Sequence, residues 1–125
     1  MVEVEVVNRS GVDVDTRAAT ALAQDVLAAE GVDEGELGLT LVGSDEIREL
    51  KRKHLGVDEP TDALAFPVDG RDGIHEGLPR QLGDVVLCPQ VTGEAWGPPL
   101  VHALLHLLGY DHGSKMEARE RAHAG

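Results

Sequence analysis

The stretch from Leu100 to His112, L-V-H-A-L-L-H-L-L-G-Y-D-H, constrains this chain more than any other. It is a Leu-rich apolar run, and a helix through it places His102 and His106, four residues apart, on one face with their imidazoles one turn above the other. Gly109 follows three residues after the second histidine. A residue able to adopt the left-handed conformation there ends a helix and turns the chain, which lets His112 swing back toward the pair. Three neutral nitrogens with no fourth protein ligand in sight leave one position open for water, the arrangement of a catalytic rather than a structural zinc site. A histidine on a Leu-rich helix is often a half-buried core residue instead, but three at this spacing favour a metal.

The zincin proteases carry H-E-x-x-H, and their metzincin branch H-E-x-x-H-x-x-G-x-x-H, with the Glu as general base. Here the position after the first histidine is Ala103, which a helix turns about 100° from the ligands. The ligand spacing is kept while the protease's base is missing. That points to hydrolysis of something other than a peptide and leaves a metalloprotease as a distant alternative. Zinc is the expected ion, one per chain, although imidazole also suits nickel and copper.

At 125 residues the chain is expected to form a single domain, 1–125, large enough to bury roughly two-thirds of the surface its unfolded form exposes. One Trp, one Tyr and one Phe leave the core to Val, Leu and Ala, which suits a layered α/β or α+β fold. The single Cys88 excludes an intramolecular disulfide, and no signal-like segment opens the sequence, so a cytoplasmic location is expected. The apolar run from Pro98 to Leu108 is too short to span a bilayer, and no membrane partner is expected. A net charge of −12 runs against the basic signature of nucleic-acid binders. Phosphate contacts would therefore be local, and the dense cationic set is Arg48, Lys51, Arg52, Lys53 and His54, which reads equally well as a solvated helix face.

Val2, Val4 and Val6 alternate with Glu3 and Glu5 as in a half-buried strand. Asp13 or Asp15 caps a helix whose apolar positions Ala19, Leu22, Ala23, Val26 and Leu27 recur until Gly31. A second strand carries Leu37, Leu39 and Leu41, and Ser44 starts a second helix that runs to about His54. Ala63–Val68 and Gly83–Cys88 read as strands, with a glycine-rich loop over Asp69–Arg80 between them. Pro98 and Pro99 suit the first turn of the histidine helix. Ser114 with Glu117 reads as a capping box for a short last helix.

Three segments carry a family resemblance. His102–His112 resembles the H-G-x-L-H-L-x-G-Y-D-H signature of the YbeY family, bacterial metal-dependent endoribonucleases also called rRNA maturation factors. Pro60–Pro67, P-T-D-A-L-A-F-P, is similar to the family's P-T-D-V-L-S-F-P, and Leu82–Cys88, L-G-D-V-V-L-C, to its L-G-D-I-x-I-C. The resemblance implies an α/β (α+β) domain with a central, mostly parallel sheet of about four strands flanked by helices. It also implies zinc on His102, His106 and His112, and cleavage of single-stranded RNA in small-subunit rRNA 3′ end maturation and ribosome assembly and quality control. The small ribosomal subunit or its associated proteins would then be partners. An assembly factor whose zinc is mainly structural is the alternative.

The sequence departs from the family where L-N-x-x-Y-R usually precedes P-T-D: Leu55 holds the Arg position, His54 the Tyr and Lys51 the Asn. Arg52 or Lys53 is the candidate replacement for the missing cation. Ala65 replaces Ser and Ala103 replaces Gly, and the segment from Glu94 to Leu100 is about ten residues shorter than usual. A bound zinc would lower the pKa of water to roughly 7 and act as a Lewis acid. Asp111 orients His112 or receives a proton, or simply caps the turn after Gly109. Asp84 is a candidate acceptor for a ligand histidine's second N–H, and Thr61 and Asp62 are candidates to line the substrate groove, although a plain turn explains them nearly as well.

Overall fold

A computed structural model of the protein describes residues 1–59, 61–69, 80–110 and 113–123. In chain order its elements are β1 (Glu3–Asn8), α1 (Thr16–Ala29), β2 (Glu36–Leu41), α2 (Ser44–Leu55), β3 (Ala63–Pro67), β4 (Gln81–Leu87), α3 (Pro89–Thr92), α4 (Gly97–Leu107) and α5 (Ser114–His123). The loop expected over Asp69–Arg80 lies, for 70–79, outside the described residues.

The four strands form one sheet in the order β1-β2-β4-β3. β1 is parallel to β2 and β2 to β4, while β3 runs antiparallel to β4 along the edge. The sheet is therefore mixed and mostly parallel, as expected. Strand alternation sorts its side chains. Leu37, Leu39, Leu41, Val85 and Leu87 share one face with Ala63 and Ala65, and there they meet Ala19, Ala23, Val26 and Leu27 of α1 and the leucines of α4. Leu64 and Val86 point to the other face, where Ile47 of α2 packs on them with Val42 and Cys88. The sheet thus lies between α2 on one side and α1, α4 and α5 on the other.

Local sequence explains the helix ends. Asp15, not Asp13, caps α1, its carboxylate accepting from the Ala18 N–H at 3.0 Å, and Gly31 exits at φ +83°. Ser44 is the first residue of α2 rather than its cap: Gly43 takes the cap position, and the Ser44 N–H is satisfied by the Gln90 side chain on α3 at 3.0 Å. Ser114 likewise opens α5 as a helical residue, with the Glu117 N–H bonded to the Gly113 carbonyl.

The seat of α4 depends on one glycine. The pairing of β4 with β2 shifts between Glu36 and Leu37, so Leu82 is the extra residue of a bulge and Gly83 follows at φ +139°. A Cβ on Gly83 would stand 2.4 Å from the Phe66 carbonyl oxygen and 2.8 Å from the Leu107 side chain. Bare backbone here lets α4 settle onto the sheet, where Leu100, Leu104, Leu105 and Leu107 are buried, each contributing about 1.5–3 kcal/mol relative to exposure. Among the described residues no helix is long and apolar enough to cross a membrane.

Candidate metal centre

The helical period decides which residues of α4 leave the core. Leu100, Val101, Ala103, Leu104, Leu105 and Leu107 are buried, and His102 and His106 fall on the remaining stripe, partly exposed. Their rings stand edge to face with centroids 4.7 Å apart, close enough for both to reach one ion. Ala103 is buried at 3 % exposure, so the position that holds the base in zincins faces the core. Gly109 adopts φ +100° and the Tyr110 N–H returns to the Leu105 carbonyl at 3.0 Å, turning the chain where the sequence requires it. Asp111 and His112 lie outside the described residues. Among the described residues no group of three metal-competent side chains comes together; the two imidazoles of α4 are the part of the expected set that the structure brings together. Two imidazoles on one stripe suit a divalent ion of imidazole preference.

Carboxylates absent from the sequence expectation surround this helix. Glu120 of α5 lies 3.3 Å from His102 Nδ1. Glu30, the residue that ends α1, is buried at 8 % exposure. It accepts from the Tyr110 hydroxyl at 2.7 Å and Arg119 Nε at 2.7 Å, and meets His123 Nε2 at 2.9 Å. Burial alone would raise its pKa, but the hydrogen bonds from Tyr110, His123 and Arg119 and the Arg119 charge outweigh it and hold the carboxyl at about 2. One carboxylate therefore ties the end of α1 to the turn after α4 and to two successive turns of α5. No sequence signal marks Glu30, because a Glu in the last turn before a helix-ending Gly reads as solvated. A groove of about 400 Å³ is lined by Leu22, Pro98, Val101, Glu120 and His123, among others.

The other sequence candidates lie elsewhere. Asp84 pairs across the sheet with Gly38 and Phe66, and Phe66 belongs to the α2 face. Strand alternation thus turns Asp84 away from α4, and the carboxylate within hydrogen-bond distance of a candidate ligand's ring nitrogen is Glu120 instead. Thr61 and Asp62 precede β3 at its Leu87 end, their side chains bonded to each other at 3.5 Å, whereas Leu107, beside His106, packs at the Gly83 end. Arg52 and Lys53 lie on α2, across the sheet from α4, and His54 stacks edge-on against Phe66 at 4.9 Å. Arg52 is held by Glu49 at 3.1 Å, Arg48 by Asp58 at 2.7 Å and Lys51 by Glu59 at 3.2 Å. Lys53 makes no hydrogen bond or ion pair among the described residues, and Leu55, in the family's Arg position, is 61 % exposed.

The family model described as endoribonuclease YbeY matches residues 5–124. An endoribonuclease YbeY of Salinispora tropica is 41 % identical, with 94 % of this chain and 87 % of that protein covered. Those of Rhodococcus opacus and Mycobacterium ulcerans are 37 % and 35 % identical, covering 94 % of this chain and 74 % and 75 % of theirs. A Thermotoga maritima protein solved in solution shares the fold, with a TM-score of 0.56 at 22 % identity over 98 % of this chain and 86 % of that one. On the family match across nearly its whole length and on these relatives, the chain belongs to the endoribonuclease YbeY family.

Proposed function

We propose that the protein is a zinc-dependent endoribonuclease that cuts single-stranded RNA, acting in 3′ end maturation of small-subunit rRNA and in ribosome assembly. The observation that carries this reading is the partly exposed pair His102 and His106 on a helix whose leucines are buried, in a chain of the endoribonuclease YbeY family. His102, His106 and His112 would hold the ion. When bound, zinc supplies Lewis acidity toward a phosphoryl oxygen and acidifies water to a pKa of roughly 7. The chain's own residues would position these events: α4 fixes two imidazoles on one stripe and Gly109 ends the helix at a positive φ, while Asp111 would orient His112 or receive a proton. Ala103 faces the core, so the side chain at that position would take no part in the hydrolysis.

The assembly-factor reading has one observation on its side. Arg48, Lys51 and Arg52 are already paired with carboxylates, so phosphates would have to displace those partners. Metal analysis of the purified protein, paired with cleavage of a single-stranded RNA before and after chelation, separates the two readings. The endoribonuclease reading expects about one zinc per chain and cleavage that chelation abolishes and zinc restores. Zinc content without cleavage favours the assembly factor, and cleavage that survives full removal of metal overturns the proposal.

A further inference from the structure

We propose that Glu120 is a positioning residue for the metal centre, accepting the Nδ1–H of His102 and so presenting Nε2 to the ion; this rests on the metal reading above. The argument begins with how α5 is fixed. Met116 is buried at 1 % exposure and anchors the start of the helix. Arg119 and His123, four apart, both face Glu30 at the end of α1. With the helix held on that side, Glu120, one residue and about 100° further round, is turned toward α4 and meets His102 Nδ1 at 3.3 Å.

The chemistry of that contact is specific. An imidazole that donates from Nδ1 to a carboxylate keeps its lone pair on Nε2, and the hydrogen bond fixes the ring's orientation and raises its basicity as a ligand. Glu120 cannot serve this role by charge alone, since a carboxylate several ångströms away would not select a tautomer. It also does not read as part of the core packing, because its side chain is about 35 % exposed.

The test combines two measurements on the full chain. In the metal-free protein, nitrogen NMR of labelled histidines should show His102 as the Nδ1–H tautomer, and Glu120→Ala should remove that preference. Zinc affinity, read by competition with a chelator, should fall about 10–100-fold in Glu120→Ala. Glu120→Gln, whose amide oxygen still accepts from Nδ1–H, should recover most of it, and both variants should melt with the unmodified chain. A Glu120→Ala protein that binds zinc as tightly as the unmodified chain, or an Nε2–H tautomer of His102 in the unmodified chain, overturns this proposal alone. An unmodified chain that binds no zinc overturns the metal reading and this proposal with it.

Discussion

On the α4 face Glu30 is withdrawn from water and engages Tyr110, Arg119 and His123 at once, whereas on the α2 face Arg48, Lys51 and Arg52 each hold one well-exposed carboxylate. A buried carboxylate with several donors has no water to fall back on, so each bond constrains the others and the elements they join keep one arrangement. Exposed pairs are worth about 0–1 kcal/mol and exchange partners readily. The first kind of charge suits a site whose atoms must be held in place. The second suits a surface that meets a flexible polyanion.

The sharpest break in this comparison is His102→Ala. Removing a proposed ligand should cost zinc affinity beyond the roughly 10–100-fold that outer-shell changes cost, and should abolish chelator-sensitive RNA cleavage. Thermal stability of the metal-free protein should hardly move, because the His102 side chain is 36 % exposed. If cleavage persists at the unmodified rate, the rigid face does not carry the chemistry.

Glu30→Gln tests the rigidity itself. The change leaves Arg119 and Tyr110 facing an amide, and the expected destabilisation is about 3 kcal/mol by urea or thermal unfolding at neutral pH, the low end of what breaking a buried pair costs. The acid response supplies an independent check. The Glu30 carboxyl is lowered from 4.5 to about 2 in the folded chain, so its contribution of about 3 kcal/mol is present above pH ~4.5 and lost as pH falls toward ~2. The gap between the unmodified protein and Glu30→Gln should therefore narrow through that window; a gap independent of pH would show that the carboxylate charge is not what holds α5.

A smaller effect is expected from Gly83→Ala, at about 2–3 kcal/mol, from a positive-φ backbone and a Cβ that must push aside both the Phe66 carbonyl and the Leu107 side chain. Since Leu107 adjoins His106, zinc affinity should fall as well. An Ala variant with unchanged stability would mean that α4 is not seated by that glycine.

What could be read from the sequence follows from how local each cause is. The strands at Val2–Val6 and Leu37–Leu41, the α1 stripe and the Gly109 turn come from period and backbone preference, and the histidine stripe comes from the same period on α4. Glu30 and Glu120 gave no local signal, because their roles exist only once α5 folds back over α1 and α4. Asp84 shows the reverse. It stands in a motif between buried residues, yet the bulge at Leu82 and strand alternation send its side chain to the α2 face, a fact of register that the motif does not carry. Ser44 starts α2 as expected, but the Gln90 side chain that satisfies its N–H comes from 46 residues away and leaves no local signal.

The α2 face yields the smallest and most diagnostic effect. Each phosphate contact to a single strand contributes about 0.7 to the slope of log affinity against log salt. Were Arg52 and Lys53 both available, Arg52→Gln with Lys53→Gln would flatten that slope by up to about 1.4. The structure divides the pair: Arg52 is bonded to Glu49, which its guanidinium holds below the usual carboxylate range, while Lys53 makes no hydrogen bond or ion pair among the described residues and acts on Glu49 only through its charge. Lys53→Gln alone should therefore flatten the slope by about 0.7, and Arg52→Gln by less. Glu49→Gln should release Arg52 and strengthen RNA binding, because a surface pair costs at most about 1 kcal/mol to give up. Zinc content should stay unchanged throughout, since the sheet separates α2 from α4. Equal slopes in all of these variants would make the α2 cations a solvated, ion-paired face and place RNA contact wholly on the side of the histidines.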